Sequence, residues 1–251
     1  MPDHAGQIVF ASVPYANAAP LSHFLPQVRE GVRVVYGHPS TLAARLVAGE
    51  VDVAMLPVAA YFATPHVRMI DGMGICAEGA VWSVLLKCNR SLEEIRTVAP
   101  DPASTTSNAL AWLLLEEHFG RRVEMIAGAE TDAAVVIGDR ALCEPPAPRG
   151  DLDLGECWHA MTALPFVFAV WAYRADHEDA AALTEIATAA LTIGRRNIEH
   201  VAALRARALR LPLQRCRQYL TSVIRYDLGP REAQGMEQFR QLLAGRQKVL
   251  S

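Results

Sequence analysis

The stretch Asp151 to Trp171, DLDLGECWHAMTALPFVFAVW, joins an acidic turn, a short polar helix and an apolar strand without a spacer. Gly155 and Pro165 set the backbone at its two ends, and Thr162 supplies a hydroxyl just before the apolar run. Such a join predicts a chain passing from one lobe to another beside a cleft.

Upstream, the apolar run VWSVLLKC ending at Cys88 is long enough to make the opposite passage. Crossings near Ser83 to Lys87 and near Phe166 to Trp171 divide the chain into a discontinuous lobe, 1–86 with 168–251, and an inserted lobe, 87–167. Both read as α/β. In the first, β-branched runs at Ile8 to Val13, Val32 to Tyr36 and Val51 to Leu56 alternate with helical segments, as in a parallel sheet covered by helices. Pro20 suits a first helical turn, Ser40 is placed to cap Thr41 to Ala48, and Gly49 to end it. In the second, Ser91 and Glu94 have capping-box spacing. Thr97 to Ala99, Val123 to Ile126 and Ala133 to Ile137 read as strands, and Ser104 to Asn108 as a polar loop opening the helix ALAWLLLEEHF, closed by Gly120. CEPPAPRG at 143 to 150 reads as a surface loop. From Asp179 the chain turns helical, with Gly194 a break and Gly229-Pro230 starting the last helix.

Ligands of open α/β sheets bind at the carboxyl ends of strands. The residues just past those ends are Asn17, Ser40, Ser104 to Ser107 and Asp139. Ser104, Thr106 and Ser107 stand where a helix begins, and a helix entrance with hydroxyls suits a carboxylate or phosphate. The same position suits a plain N-cap. Asn17 in PYANAAP fits a turn as well as a reacting centre. Asp139 in IGDRAL fits a cap or an acid/base role, and Ser83 interrupts an apolar run where its hydroxyl meets a ligand or a neighbouring carbonyl.

Composition narrows the class. The 251 residues are 51% hydrophobic and 20% charged with formal charge −3, and Lys and Arg are dispersed. No basic stripe predicts nucleic acid, and the apolar run from Ala163 to Tyr173 is too short to span a bilayer. The expected partner is a small molecule. MPDHAGQIVF lacks the basic opening of a signal peptide. Five scattered cysteines without CxxC spacing fit reduced, buried thiols in the cytoplasm better than zinc or disulfides. HExxH, GxSxG, GxGxxG and GxxxxGK[ST] are missing; His159 is the best lone histidine for acid/base work, although its setting fits a surface or structural role better.

In order along the chain, VPYANAAPL (13–21), GHPSTLAARLVAGEVDVAMLP (37–57), EGAVWSVLL (78–86), STTSNAL (104–110), VVIGDRAL (135–142) and DLGECWHAMTALPFVFAVWAYR (153–174) resemble the chorismate dehydratase family of the futalosine route to menaquinone. YLTSVIRYDLGPREAQGMEQF fits the family's end. The resemblance implies a two-lobed fold similar to type II periplasmic binding proteins, with a ligand cleft between the lobes. It further implies a hydro-lyase reaction on chorismate without metal or organic cofactor. By position it makes Asn17 the catalytic residue and Ser83, Thr106 and Ser107 the leading substrate contacts, with Ser40, Ser104 and Asp139 beside them. Against the family pattern, Ala163 replaces a usual glycine, and Trp82 and Thr105 stand where arginine is common. Two other readings share the fold: the later dihydroxynaphthoate synthase of the same route, and a non-catalytic cytosolic solute-binding or sensor protein.

Overall fold

Residues 7–128 and 130–250 are described by the computed structural model, 246–250 as backbone alone; MPDHAG, read above as unlike a signal peptide, lies outside them. They group into two compact units, one of residues up to Ile75 with Ala169–Asp227, the other of Cys76–Phe168 with Leu228 onward.

The sheet of the first unit runs in the order Arg225–Asp227, Val67–Ala77, Phe166–Arg174, Val53–Pro57, Ile8–Ser12, Val32–Tyr36. Ile8–Ser12 pairs in parallel with both Val32–Tyr36 and Val53–Pro57. Each of these three strands leads into helix, as the alternation predicts. Val53–Pro57 is buried along its whole length, which is why it reads as an unbroken apolar run. Beyond these three parallel strands the sheet is mixed, because Phe166–Arg174 runs antiparallel to Val53–Pro57. That strand enters from the inserted segment rather than through a crossover helix, so nothing forces it parallel.

The sheet of the second unit runs Glu124–Met125, Thr97–Ala99, Ala133–Ile137, Val84–Cys88, Asp151–Asp153. The first three pair in parallel, and Val84–Cys88 is antiparallel to both of its neighbours. The Ser91–Glu94 capping box is present. Cys76, Cys88, Cys157 and Cys216 are buried and Cys143 is exposed; burial pushes the Cys88 and Cys157 thiols up to about 11.

The division differs from the expected one in two ways. Val84–Cys88 is an interior strand of the second sheet, and the chain passes between units at Ile75–Cys76 instead, through the eleven-residue strand Val67–Ala77, which sequence reading missed. The final helix, Pro230–Leu250, belongs to the second unit rather than to the discontinuous lobe. Aromatic packing explains that placement. Phe239 is fully buried with its ring 4.9 Å from Phe166 and 6.0 Å from Trp158. At Gly235 the helix backbone comes so near Pro165 that an added Cβ would lie 2.2 Å from its carbonyl oxygen. The helix Ala180–Arg196 runs through Gly194 and stops at Asn197, so the expected break lies three residues later.

Ala163 ends the helix Leu154–Thr162 with φ 57°, the left-handed conformation that favours glycine, and its carbonyl accepts a 2.8 Å bond from Arg231 Nη2. Ala163→Gly should therefore stabilise the protein by about 1 kcal/mol in urea unfolding, by relieving the Cβ clash. Asp132 ties strands together by accepting from the N–H groups of Arg96 (2.9 Å) and Thr97 (3.0 Å) and from Thr97 Oγ1. Those N–H bonds, with smaller help from the Thr97 hydroxyl and Arg90, hold its carboxyl below the ordinary value. Its contribution is present above the unfolded pKa of about 4 and is lost as pH falls through the depressed value. The stability gap between the native protein and Asp132→Asn should be constant near neutrality and close in acid, as read by urea unfolding at a series of pH values.

Candidate active site

In the first unit, the strand Ile8–Ser12 ends in Val13 to Tyr15 and a single 3-10 turn, Ala16–Ala18, that carries Asn17. The neighbouring parallel strand Val32–Tyr36 leads through Gly37, whose N–H bonds Ser12 O at 3.0 Å, into the helix bearing Ser40. Asn17 and Ser40 thus follow the carboxyl ends of adjacent strands. Asn17 is half-buried, and its Oδ1 is shielded from water with no protein donor. A buried acceptor left unbonded costs about 1–3 kcal/mol, so this atom is poised for a donor from a ligand. Ser40 does not cap its helix as expected: the helix begins at Pro39 after His38, and the exposed Ser40 hydroxyl lies 2.8 Å from His38 Nδ1.

The second unit brings the other five candidates to one edge of its sheet. Thr97–Ala99 and Ala133–Ile137 are parallel, and Val84–Cys88 runs against them with Val84 opposite Ile137. The residues after the first two strands and before the third therefore share an edge. Ser83 is fully buried there, its carbonyl accepting from Gly138 N at 2.8 Å. Gly138 has φ 63°, a conformation open to glycine that turns the chain at once into the helix Gly138–Cys143. Asp139 lies half-buried in that helix's first turn.

Of the expected loop Ser104 to Asn108, the part from Thr105 onward is helical instead. Ser104 caps the helix Thr105–Glu117, accepting from Ser107 N at 3.0 Å and bonding Ser107 Oγ at 2.9 Å, so the helix starts at Thr105 and not at Ala109. The N-cap reading of Ser104 is the realised one. Thr106 and Ser107 are buried in the first turn, while Thr105 faces solvent. A buried helix entrance with hydroxyls, at the same sheet edge as Ser83, offers positive dipole and hydrogen-bond donors for a carboxylate. Among the described residues no group of three or more His, Cys, Asp or Glu is placed to hold a metal ion. His159 Nδ1 lies 3.4 Å from Leu164 O, a local contact.

Two aspartates that sequence reading did not select organise this edge. Asp101, buried, accepts from Ala103 N and Ile137 N, exchanges bonds with Asn108, and lies 3.8 Å from Arg140. Asp153 accepts from the N–H groups of Val81 (2.9 Å), Trp82 (2.7 Å), Gly155 (3.0 Å) and Glu156 (3.2 Å). It caps the helix Leu154–Thr162 and holds the loop before Ser83 at once. Trp82, at φ 63°, takes a conformation that bulky residues rarely adopt, and the Asp153 bond to its N–H holds it there. Burial pushes the Asp153 carboxyl up, and the N–H bonds pull against that rise. The only sequence signal was the N-cap position before LGE; its long-range partners lie more than seventy residues away.

Residues 8–245 match the family model described as Menaquinone biosynthesis. The chain is 33% identical to the chorismate dehydratase of Thermus thermophilus, over 91% of this chain and 92% of that protein. Among solved structures it is similar to a protein of Archaeoglobus fulgidus (TM-score 0.75, 17% identity, 98% and 99% of the two chains). It is also similar to the periplasmic aliphatic sulphonate binding protein of Escherichia coli (TM-score 0.64, 13% identity, 98% and 94%). At those identities the likeness is one of fold: the chain has the periplasmic-binding-protein fold.

Asp153→Ala should lose about 2–3 kcal/mol of stability by stranding N–H groups on both the loop and the helix. Asp153→Asn should lose less, because its amide oxygen still accepts. Urea unfolding of the two variants against the native protein measures the difference.

Proposed function

This chain belongs to the menaquinone biosynthesis family, and from that premise we propose that it is a chorismate dehydratase. It works as a carbon–oxygen hydro-lyase, converting chorismate to 3-[(1-carboxyvinyl)oxy]benzoate in the cytoplasm, on a small anionic substrate and without metal or organic cofactor. The observation that carries the reading is Asn17 Oδ1, a buried acceptor with no protein donor, on a strand-end turn. The leaving hydroxyl of chorismate is a donor of the matching kind.

Chorismate also carries two carboxylates. Ser83 and the Thr106–Ser107 helix entrance, with Ser104 holding its geometry and Ser40 at the other unit's sheet edge, support carboxylate binding, and Asp139 accepts from a substrate hydroxyl; each charged hydrogen bond contributes about 1.5–3 kcal/mol against desolvation. Elimination breaks the ring C3–H bond and the C4–O bond, and the C–H electrons complete the aromatic ring. The substrate's own enolpyruvyl carboxylate accepts the proton, which leaves with the hydroxyl as water. Asn17 orients the reacting groups, so that the step is effectively intramolecular.

Purified protein incubated with chorismate should consume it and release a product lighter by one water. Binding without turnover would make the protein a sensor, and indifference to chorismate would favour the later dihydroxynaphthoate synthase. Asn17→Ala should slow turnover by ~10²–10³, as expected for losing one preorganised hydrogen bond. A folded Asn17→Ala enzyme with near-native turnover would remove that residue from the mechanism.

A further inference from the structure

The turn carrying Asn17 is held by the helical region that follows the first unit's last long strand, a region to which the sequence reading gave no task. Ala18 N bonds Tyr15 O at 3.2 Å within the turn, and Ser22 Oγ donates to Ala18 O at 3.0 Å just after it. Local bonds of this strength do not fix a short turn against its sheet.

Three elements from later in the chain do so. The helix Ala180–Arg196 packs on Ala19–Ser22, and at Gly194 the approach is so close that an added Cβ would lie 2.0 Å from Pro20 O. The helix Ile198–Leu209 sends Arg205 to Pro14, where Nη2 donates to the carbonyl at 2.7 Å across 191 residues of sequence. Its His200 ring lies 6.0 Å from that of His23. The π-helical segment Tyr219–Val223, with Tyr219 and Leu220 buried, packs on Ala16–Ala18. Pi-helical turns of this kind recur at functional sites because they re-aim the chain locally.

We propose that Arg205 and Gly194 are positioning residues for Asn17. Pro14 and Pro20 stand three residues before and three residues after it. Arg205 fixes the first carbonyl by a charged hydrogen bond, and Gly194 fixes the second by backbone contact. Held at both ends, the intervening turn keeps the Asn17 amide in one place. An alanine at 194 must push the turn away by about 1 Å in a close-packed interior, and a displacement of that size costs about 10² in rate when a reacting group is misplaced. Arg205 is no stabiliser chosen at random, because its acceptor belongs to the Asn17 loop itself.

The inference rests on the catalytic reading of Asn17, and a double-mutant cycle separates the two. Chorismate turnover is measured for the full chain and for Asn17→Ala, Arg205→Ala, Arg205→Lys, Gly194→Ala and the Asn17→Ala/Arg205→Ala double variant, with folding followed by thermal melts. Arg205→Ala should lower kcat about 10-fold or more with KM within about threefold, Arg205→Lys should recover part of the loss, and Gly194→Ala should lose about 10². Arg217→Ala, which removes an ion pair to Glu199 at 2.7 Å in the same helical region, should leave kcat unchanged. On the Asn17→Ala background, Arg205→Ala should cost almost nothing more, since no amide remains to be aimed. Native kcat in Arg205→Ala, or a loss that multiplies in full on the Asn17→Ala background, would overturn the positioning role while leaving Asn17 catalytic. Native turnover in Asn17→Ala would overturn the catalytic reading itself, and this inference with it.

Discussion

A carboxylate taken out of water must find its hydrogen bonds inside the protein, and the second unit is arranged around one that does so. Asp153 ends a three-residue strand, opens a helix, and collects N–H groups from both that helix and the Val81–Trp82 loop. Because the loop is held there, Val84 pairs opposite Ile137, and the carbonyl of Ser83, just before that strand, meets Gly138. Gly155 sharpens the constraint. A Cβ at that position would lie 2.6 Å from Gly79 O, so the helix start and the loop share a space only a glycine leaves open. One aspartate side chain and one missing methyl thereby set the edge where the hydroxyls gather.

The first unit solves a related problem by different means. Its Asn17 turn is gripped from outside, by backbone packing against Gly194 and by the Arg205 bond to Pro14. Both units use a glycine at the point of closest approach, where a side chain of any size would hold two segments apart. Both also use a charged group to bind main-chain atoms of a loop.

The departures from the sequence reading have physical causes. Ser104 to Asn108 looked like a loop because Ser, Thr and Asn compete for backbone bonds, yet Ser104 uses that same property to cap a helix beginning at Thr105. Gly194 looked like a break because glycine weakens an isolated helix, and it stays helical because the tight approach to Pro20 admits no side chain. The last helix looked like a continuation of the preceding helices. Its Phe239 instead buries against Trp158 and Phe166, contacts that periodicity cannot assign to a partner. Val67–Ala77 escaped notice because Asp71, Gly72 and Gly74 interrupt its apolar pattern.

The amino-acid sequence by itself determined the alternation of strand and helix, the two sheets, the strand-end positions of Asn17, Thr106, Ser107 and Asp139, and, through ordered motifs along nearly the whole chain, the family. These properties are local or repeat along the chain, so residue type and spacing carry them. Only the tertiary structure decided which unit claims the last helix, which strand runs antiparallel, and that Asp153, Gly194 and Arg205 grip segments far from them in sequence. Such contacts arise from complementarity between distant surfaces. A lone aspartate, glycine or arginine looks the same in sequence whether it faces water or holds a distant loop in place.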